Sequence, residues 1–157
     1  MARARDVELD CEASFALAAA RVVEVRAAEV FERSAGVLDL EDVEPVHDMR
    51  VATRRLRAAL EIFEPCFPRK RFRKALKRVK TLADALGERR DLDVEIELLG
   101  GLDGEVAEEE REAFRALLGD LRSRQRQAND DLAPFVTAKR LKKLHRRLVK
   151  LVKEVEP

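Results

Sequence analysis

Four cationic side chains stand out in the stretch VHDMRVATRRLRAALEIF, residues 46–63. His47, Arg50, Arg54 and Arg57 recur at i, i+3, i+7 and i+10. On a helix they fall within roughly 80° of one another, while Met49, Ala52, Leu56, Ala59, Leu60 and Phe63 fill the opposite side. Like charges three or four residues apart repel by about a few tenths of a kcal/mol per pair. Only Glu61, one turn past Arg57, offers relief on the row itself. A row of this kind calls for an anionic partner. A guanidinium fork meets phosphate oxygens two at a time. Three arginines at this spacing span roughly 10 Å, which suits an extended polyanion better than a single phosphate.

The next helical stretch repeats the theme. Lys70, Arg73, Lys77 and Lys80 share a face opposite Phe72, Leu76, Val79, Ala83 and Leu86, and Asp84 interrupts its far end. The turn EPCFP separates the two stretches, so they are expected to pack as antiparallel neighbours. If both basic stripes lie on one side, seven or more cations line a shared groove. Inorganic polyphosphate and a nucleic-acid backbone are both candidate ligands. Readers of single strands stack bases on aromatic rings. This chain has no Trp or Tyr, and its seven Phe fall mostly at core positions. A partner without bases is therefore favoured. Nucleic acid held by its backbone alone, which needs no rings, is the alternative.

Other chemistry finds little support. No second ligand stands at metal spacing from His47, and His145 reads as a core-edge histidine. The acidic run Glu108–Glu110, with Glu105 and Glu112, reads as a solvated helix start. Asp91 and Asp93 read as caps or as ion-pair partners of Arg89 and Arg90. No Ser-His-Asp set, glycine-rich phosphate loop or HExxH motif is present. The expectation is a binding protein, not an enzyme, with no cofactor and no metal. Cys11 and Cys66 are expected to be reduced, partly buried thiols.

The elements that must hold these groups are helical. Charged residues make up 40% of the 157 and apolar residues 46%, a balance that suits amphipathic helices with solvated outer faces. With so few aromatics and only six Gly and five Pro, a sandwich or barrel is improbable. Residues 1–157 read as one domain. Helices are expected over about 6–34, 45–63, 69–86, 91–99, 105–128 and 137–155. Gly36 and Gly87 serve as stops, and 129–134 as a break. The result would be an all-α antiparallel bundle of four long helices plus shorter ones. Charge is segregated beneath a net of +1: +9 over 45–90, −9 over 91–120 and +8 over 139–153. Some of this must pair internally; the face of the last helix with Lys139, Lys143, Arg146, Lys150 and Lys153 reads by default as solvated or auxiliary, the sharper option being an added polyanion contact. No apolar run is long enough to span a membrane and the N-terminus has no apolar signal region, so a cytoplasmic setting is expected.

Two elements of the sequence have a counterpart in a known family. The H-x-x-R-x-x-x-R-R-L-R core at 47–57 and the L-G-x-x-R-D-x-D-V element at 86–94 resemble the CHAD domain, the conserved histidine α-helical domain. The likeness is close over 46–94 and loose elsewhere. It implies a helical bundle that binds inorganic polyphosphate through a basic surface, in some members at polyphosphate granules. Carried over by position, it points to His47, Arg50, Arg54 and Arg57, and less firmly to Arg73, Lys77, Lys80 and Arg90. The usual domain has two pseudo-symmetric halves, each with its own His/Arg helix. Here a second such helix is missing, because LHRRLVKLVKEVEP reads as a closing core helix. The resemblance is therefore to one half, and it implies a homodimer that rebuilds the full channel, the alternative being a truncated chain.

Overall fold

The structure is a computed structural model, described for residues 3–155. It contains five helices: α1 (Phe15–Glu32), α2 (Glu44–Ile62), α3 (Arg69–Gly100), α4 (Arg111–Val136) and α5 (Ala138–Lys153). Single 3-10 turns stand at Glu64–Cys66, Asp103–Glu105 and Glu108–Glu110, and no strand occurs among the described residues. Consecutive helices pack on each other through short connections, as in an antiparallel bundle, and α5 closes it against α1 and α3. The core gathers Val23, Met49, Leu56, Phe72, Leu132 and Leu148, all essentially inaccessible to water.

Three boundaries differ from the periodicity. The first helix begins at Phe15, not near Asp6. Asp10 turns the chain by accepting the Glu12 N–H, and Ser14 caps α1 by accepting the Leu17 N–H at 3.2 Å. The preceding segment is tied along α1: the Arg5 N–H donates to Glu29 at 2.6 Å, and Arg26 donates to the Arg5 carbonyl at 3.0 Å.

The second difference has consequences for the site. The expected helices at 69–86 and 91–99 are one 32-residue rod, α3, with Gly87 inside it. A mid-helix glycine costs about 1 kcal/mol relative to alanine. Here it is outweighed by the apolar seam Val79, Leu82, Leu86 and Leu92, which continues through it into the interior. The cap role of Asp91 and Asp93 falls with this correction. Third, α4 starts at Arg111, not near 105, and runs through 129–134 with Pro134 inside its last turn. Leu118, Leu121, Gln125 and Leu132 form one buried stripe, and burying Leu132 holds the helix past the expected break. Gly36 does turn the chain, at φ 73°, four residues after α1 ends. Both cysteines are free, but Cys11 is exposed and only Cys66 is half-buried.

A buried polar knot locks these elements together. Arg89 is 0% exposed, and its guanidinium pairs with Asp93 one turn on. Asp93 also accepts Gln125 Nε2 at 2.7 Å from α4. Arg89 donates to Asn129 Oδ1 and to the Asp39 carbonyl, and Asn129 Nδ2 donates to the Leu38 carbonyl at 3.0 Å. Burial, with Arg90 beside it, lowers the proton affinity of Arg89, opposed by the Asp39 charge. The knot thus fastens the α1–α2 connection to α3 and α4, and so fixes where α2 lies against α3.

Candidate anion-binding surface

Helix α2 buries Met49, Ala52, Leu56, Ala59 and Leu60, so its opposite face must carry the arginines outward. Arg50, Arg54 and Arg57 all line one open groove between α2 and α3. The far wall is Ala83, Asp84, Gly87, Glu88 and Asp91 of α3. Arg50 lies against the rod at Gly87, where an added Cβ would stand in ordinary contact, 4.0 Å from Arg50 Nε. The groove therefore sets three arginines against four carboxylates, counting Glu61 of α2 itself.

The three arginines are compensated unequally. Arg57 Nε donates to Glu61 at 3.1 Å. Lys80 reaches the same carboxylate at 2.9 Å. These two contacts, Lys80 first, hold the Glu61 carboxyl below its ordinary range. Arg50 only approaches Asp91, at 3.9 Å. Arg54, between them, is exposed and has no partner among the described residues. It is a free fork.

The other sequence-derived candidates scatter. His47 sits half-buried one turn before Arg50, outside the groove, and its ring has no hydrogen-bond partner among the described residues. Arg73 is exposed on the crest of α3 and lines neither flank. Lys77 faces the opposite flank, toward α5. Arg90 is half-buried, with one terminal nitrogen shut off and unbonded. The single groove of seven or more cations does not form as such. Because α3 continues past Gly87, its acidic second half, not its basic first half, runs beside Arg50 and Arg54.

A second basic surface lies on the other flank of α3. One hollow of about 420 Å³ is lined by Arg71, Lys74, Lys143, Arg146, Arg147 and Lys150. It adjoins another of about 470 Å³, where Lys77, Arg78 and Arg140 stand over Leu82, Leu144 and Phe135. Sequence reasoning gave the α5 cations a solvated face by default, with a polyanion contact as the sharper option, and did not single out Lys74 or Arg78. The available signal was the acid-free run 139–153, though nothing in the sequence says which helix it faces. His145 meets the ring of Phe31 edge-on at 4.9 Å but is exposed, farther out than a core-edge position.

Residues 21–157, most of the chain, match the sequence profile of the CHAD domain. The chain belongs to the CHAD domain family. This is a family known for binding polyphosphate. No curated protein and no solved structure matches the chain. The all-helical bundle agrees with the fold that the resemblance implied. Among the described residues, no helix is long and apolar enough to cross a membrane, and no group of three His, Cys, Asp or Glu is placed to hold a metal ion.

Proposed function

We propose that this CHAD chain binds inorganic polyphosphate and holds it without chemical change. The observation that carries the reading is Arg54: an exposed guanidinium, unpartnered among the described residues, midway along a row whose other members are held loosely or by exposed carboxylates. Exposed ion pairs of this kind are worth about 0.2–1 kcal/mol, so a string of phosphates can replace them. In this reading Arg50, Arg54 and Arg57 grip successive phosphates, and His47 adds a hydrogen bond where the chain leaves the groove. Binding is mainly electrostatic and weakens with salt. A second copy related by a two-fold axis would set two such rows in one channel, and the setting is the cytoplasm, at polyphosphate granules.

The test is titration of the full chain with long-chain polyphosphate, alongside an assay for released phosphate. Binding without release is expected, with Arg54→Gln about threefold to tenfold weaker. Polyphosphate should displace duplex DNA at matched charge concentration. Absence of binding at physiological salt, or steady release of phosphate that Arg54→Gln abolishes, refutes the proposal. Sedimentation of the chain alone and with ligand tests the dimer.

A further inference from the structure

We infer that the cleft between α3 and α5 is a second phosphate-chain site, and that it carries the larger share of the grip. The inference rests on the polyphosphate reading above and moves its centre of weight. The two hollows share Lys74 and Arg147 on their walls, so they form one continuous cleft. Nine cations line it, four from α3 and five from α5, and among the described residues no acidic side chain does. Among the described residues only Arg71 has a carboxylate partner there, Glu154. In the α2–α3 groove, by contrast, carboxylates outnumber arginines.

The fold forces this crowding. Leu141, Leu144, Leu148 and Leu151 recur at i, i+3, i+7 and i+10 and are buried, so α5 must turn its cations outward. Beside it, Phe72, Ala75, Val79 and Leu82 take the first half of α3 into the core and leave Lys74, Lys77 and Arg78 on the α5 side. The acids that could neutralise them lie on the far half of α3 and the start of α4. Among the described residues the chain supplies one counter-charge here, Glu154 on Arg71. One donor is also left without a partner inside the cleft wall: Arg147 Nε is shut off from solvent and makes no hydrogen bond among the described residues. A buried donor is destabilising until something accepts from it. Phosphate oxygens supply the missing counter-charge to the exposed cations of the cleft.

The cleft's shape selects the ligand class. Arg140 to Lys150 covers roughly 15 Å of α5, too long for one phosphate. The all-cationic hollow offers no ring on which a base could stack, and Phe135 is the only aromatic in the other. An extended, base-free phosphate chain fits best. Arg73, on the α3 crest, lies between the two flanks, so a long polymer can touch both surfaces and gain avidity from length.

The experiment compares wild type, Arg54→Gln and a triple variant, Lys143→Gln/Arg146→Gln/Lys150→Gln, in polyphosphate titrations across a salt series. All three substituted positions of the triple variant are solvent-exposed. It should bind about tenfold or more weakly, and its plot of log K against log salt should flatten by about two units, against a smaller loss for Arg54→Gln. A footprint on wild type needs no variant: bound polyphosphate should shield Lys74, Lys143 and Lys150 from acetylation, while Lys153, toward α1, stays reactive. Polyphosphate binding by wild type with an unchanged triple variant and unprotected Lys143 overturns the cleft and leaves the proposed function standing. No polyphosphate binding by wild type overturns both. Tighter binding of duplex DNA than of polyphosphate, lost in the triple variant, overturns the ligand class.

Discussion

Glu61 is the place where the α2–α3 groove can be made stronger instead of weaker. Its carboxylate holds two cations at once, Arg57 at 3.1 Å and Lys80 at 2.9 Å. Glu61→Gln keeps the shape and removes the charge. The groove lining then changes from three arginines against four carboxylates to three against three. Both released cations become available to an incoming anion. Each exposed pair is worth about 0.2–1 kcal/mol after solvent screening, and that is the competition removed. Polyphosphate should bind about two- to tenfold more tightly at moderate ionic strength, with the gain shrinking at high salt. The folded state should change by no more than about 0.5 kcal/mol, because the position is exposed. Isothermal titration at two salt concentrations, with urea denaturation as a control, reads both quantities. The pH dependence has a definite sign. Glu61 is held ionised below its ordinary value of 4.5, so the wild type keeps the competing charge across neutral pH. The difference between variant and wild type should stay constant from about pH 8 to about pH 5, closing only as Glu61 itself protonates below its lowered value. Unchanged or weaker binding by Glu61→Gln would mean that the groove cations do not meet the ligand.

Two further outcomes test the scaffold. Asp93→Ala leaves the Arg89 guanidinium buried without its carboxylate and should cost about 3–5 kcal/mol in chemical denaturation; a loss under about 1 kcal/mol would show that the knot is not structural. Gly87→Ala adds a Cβ in ordinary contact, 4.0 Å from Arg50 Nε, and removes a helix-interior glycine, so urea denaturation should show a gain of about 0.5–1 kcal/mol. Destabilisation there would mean that α3 is not continuous.

How much of this was legible follows from the range of each interaction. The amphipathic periods of α2 and α5 depend on residues three or four apart, and they are where the sequence places them. Gly87 and Pro134 misled because a breaker's cost is local, whereas the burial that overrides it comes from neighbouring helices. Arg89 could not be recognised as interior: its partners Asp39 and Asn129 lie 50 and 40 residues away. The arginine row of α2 was visible, but its opposing wall depended on the length of α3. Once two short helices became one rod, acids replaced lysines across from Arg50 and Arg54. The α3–α5 cleft was hidden for a similar reason. Each half was visible as a basic run, and only the bundle's closure sets them face to face.

The unbroken length of α3 has an electrical side. Every charged residue from Arg69 to Lys80 is basic, while six of the eight from Asp84 to Glu97 are acidic. Along a rod of roughly 48 Å this makes a fixed permanent moment built into the stiffest element of the molecule. The moment of the backbone amides has the same sense: its positive end lies at Arg69, among the basic side chains, and its negative end among the acidic ones. The two moments therefore add. In the proposed function an approaching polyanion is turned toward the basic pole, so α3 adds to capture speed while α2 and α5 share in the holding.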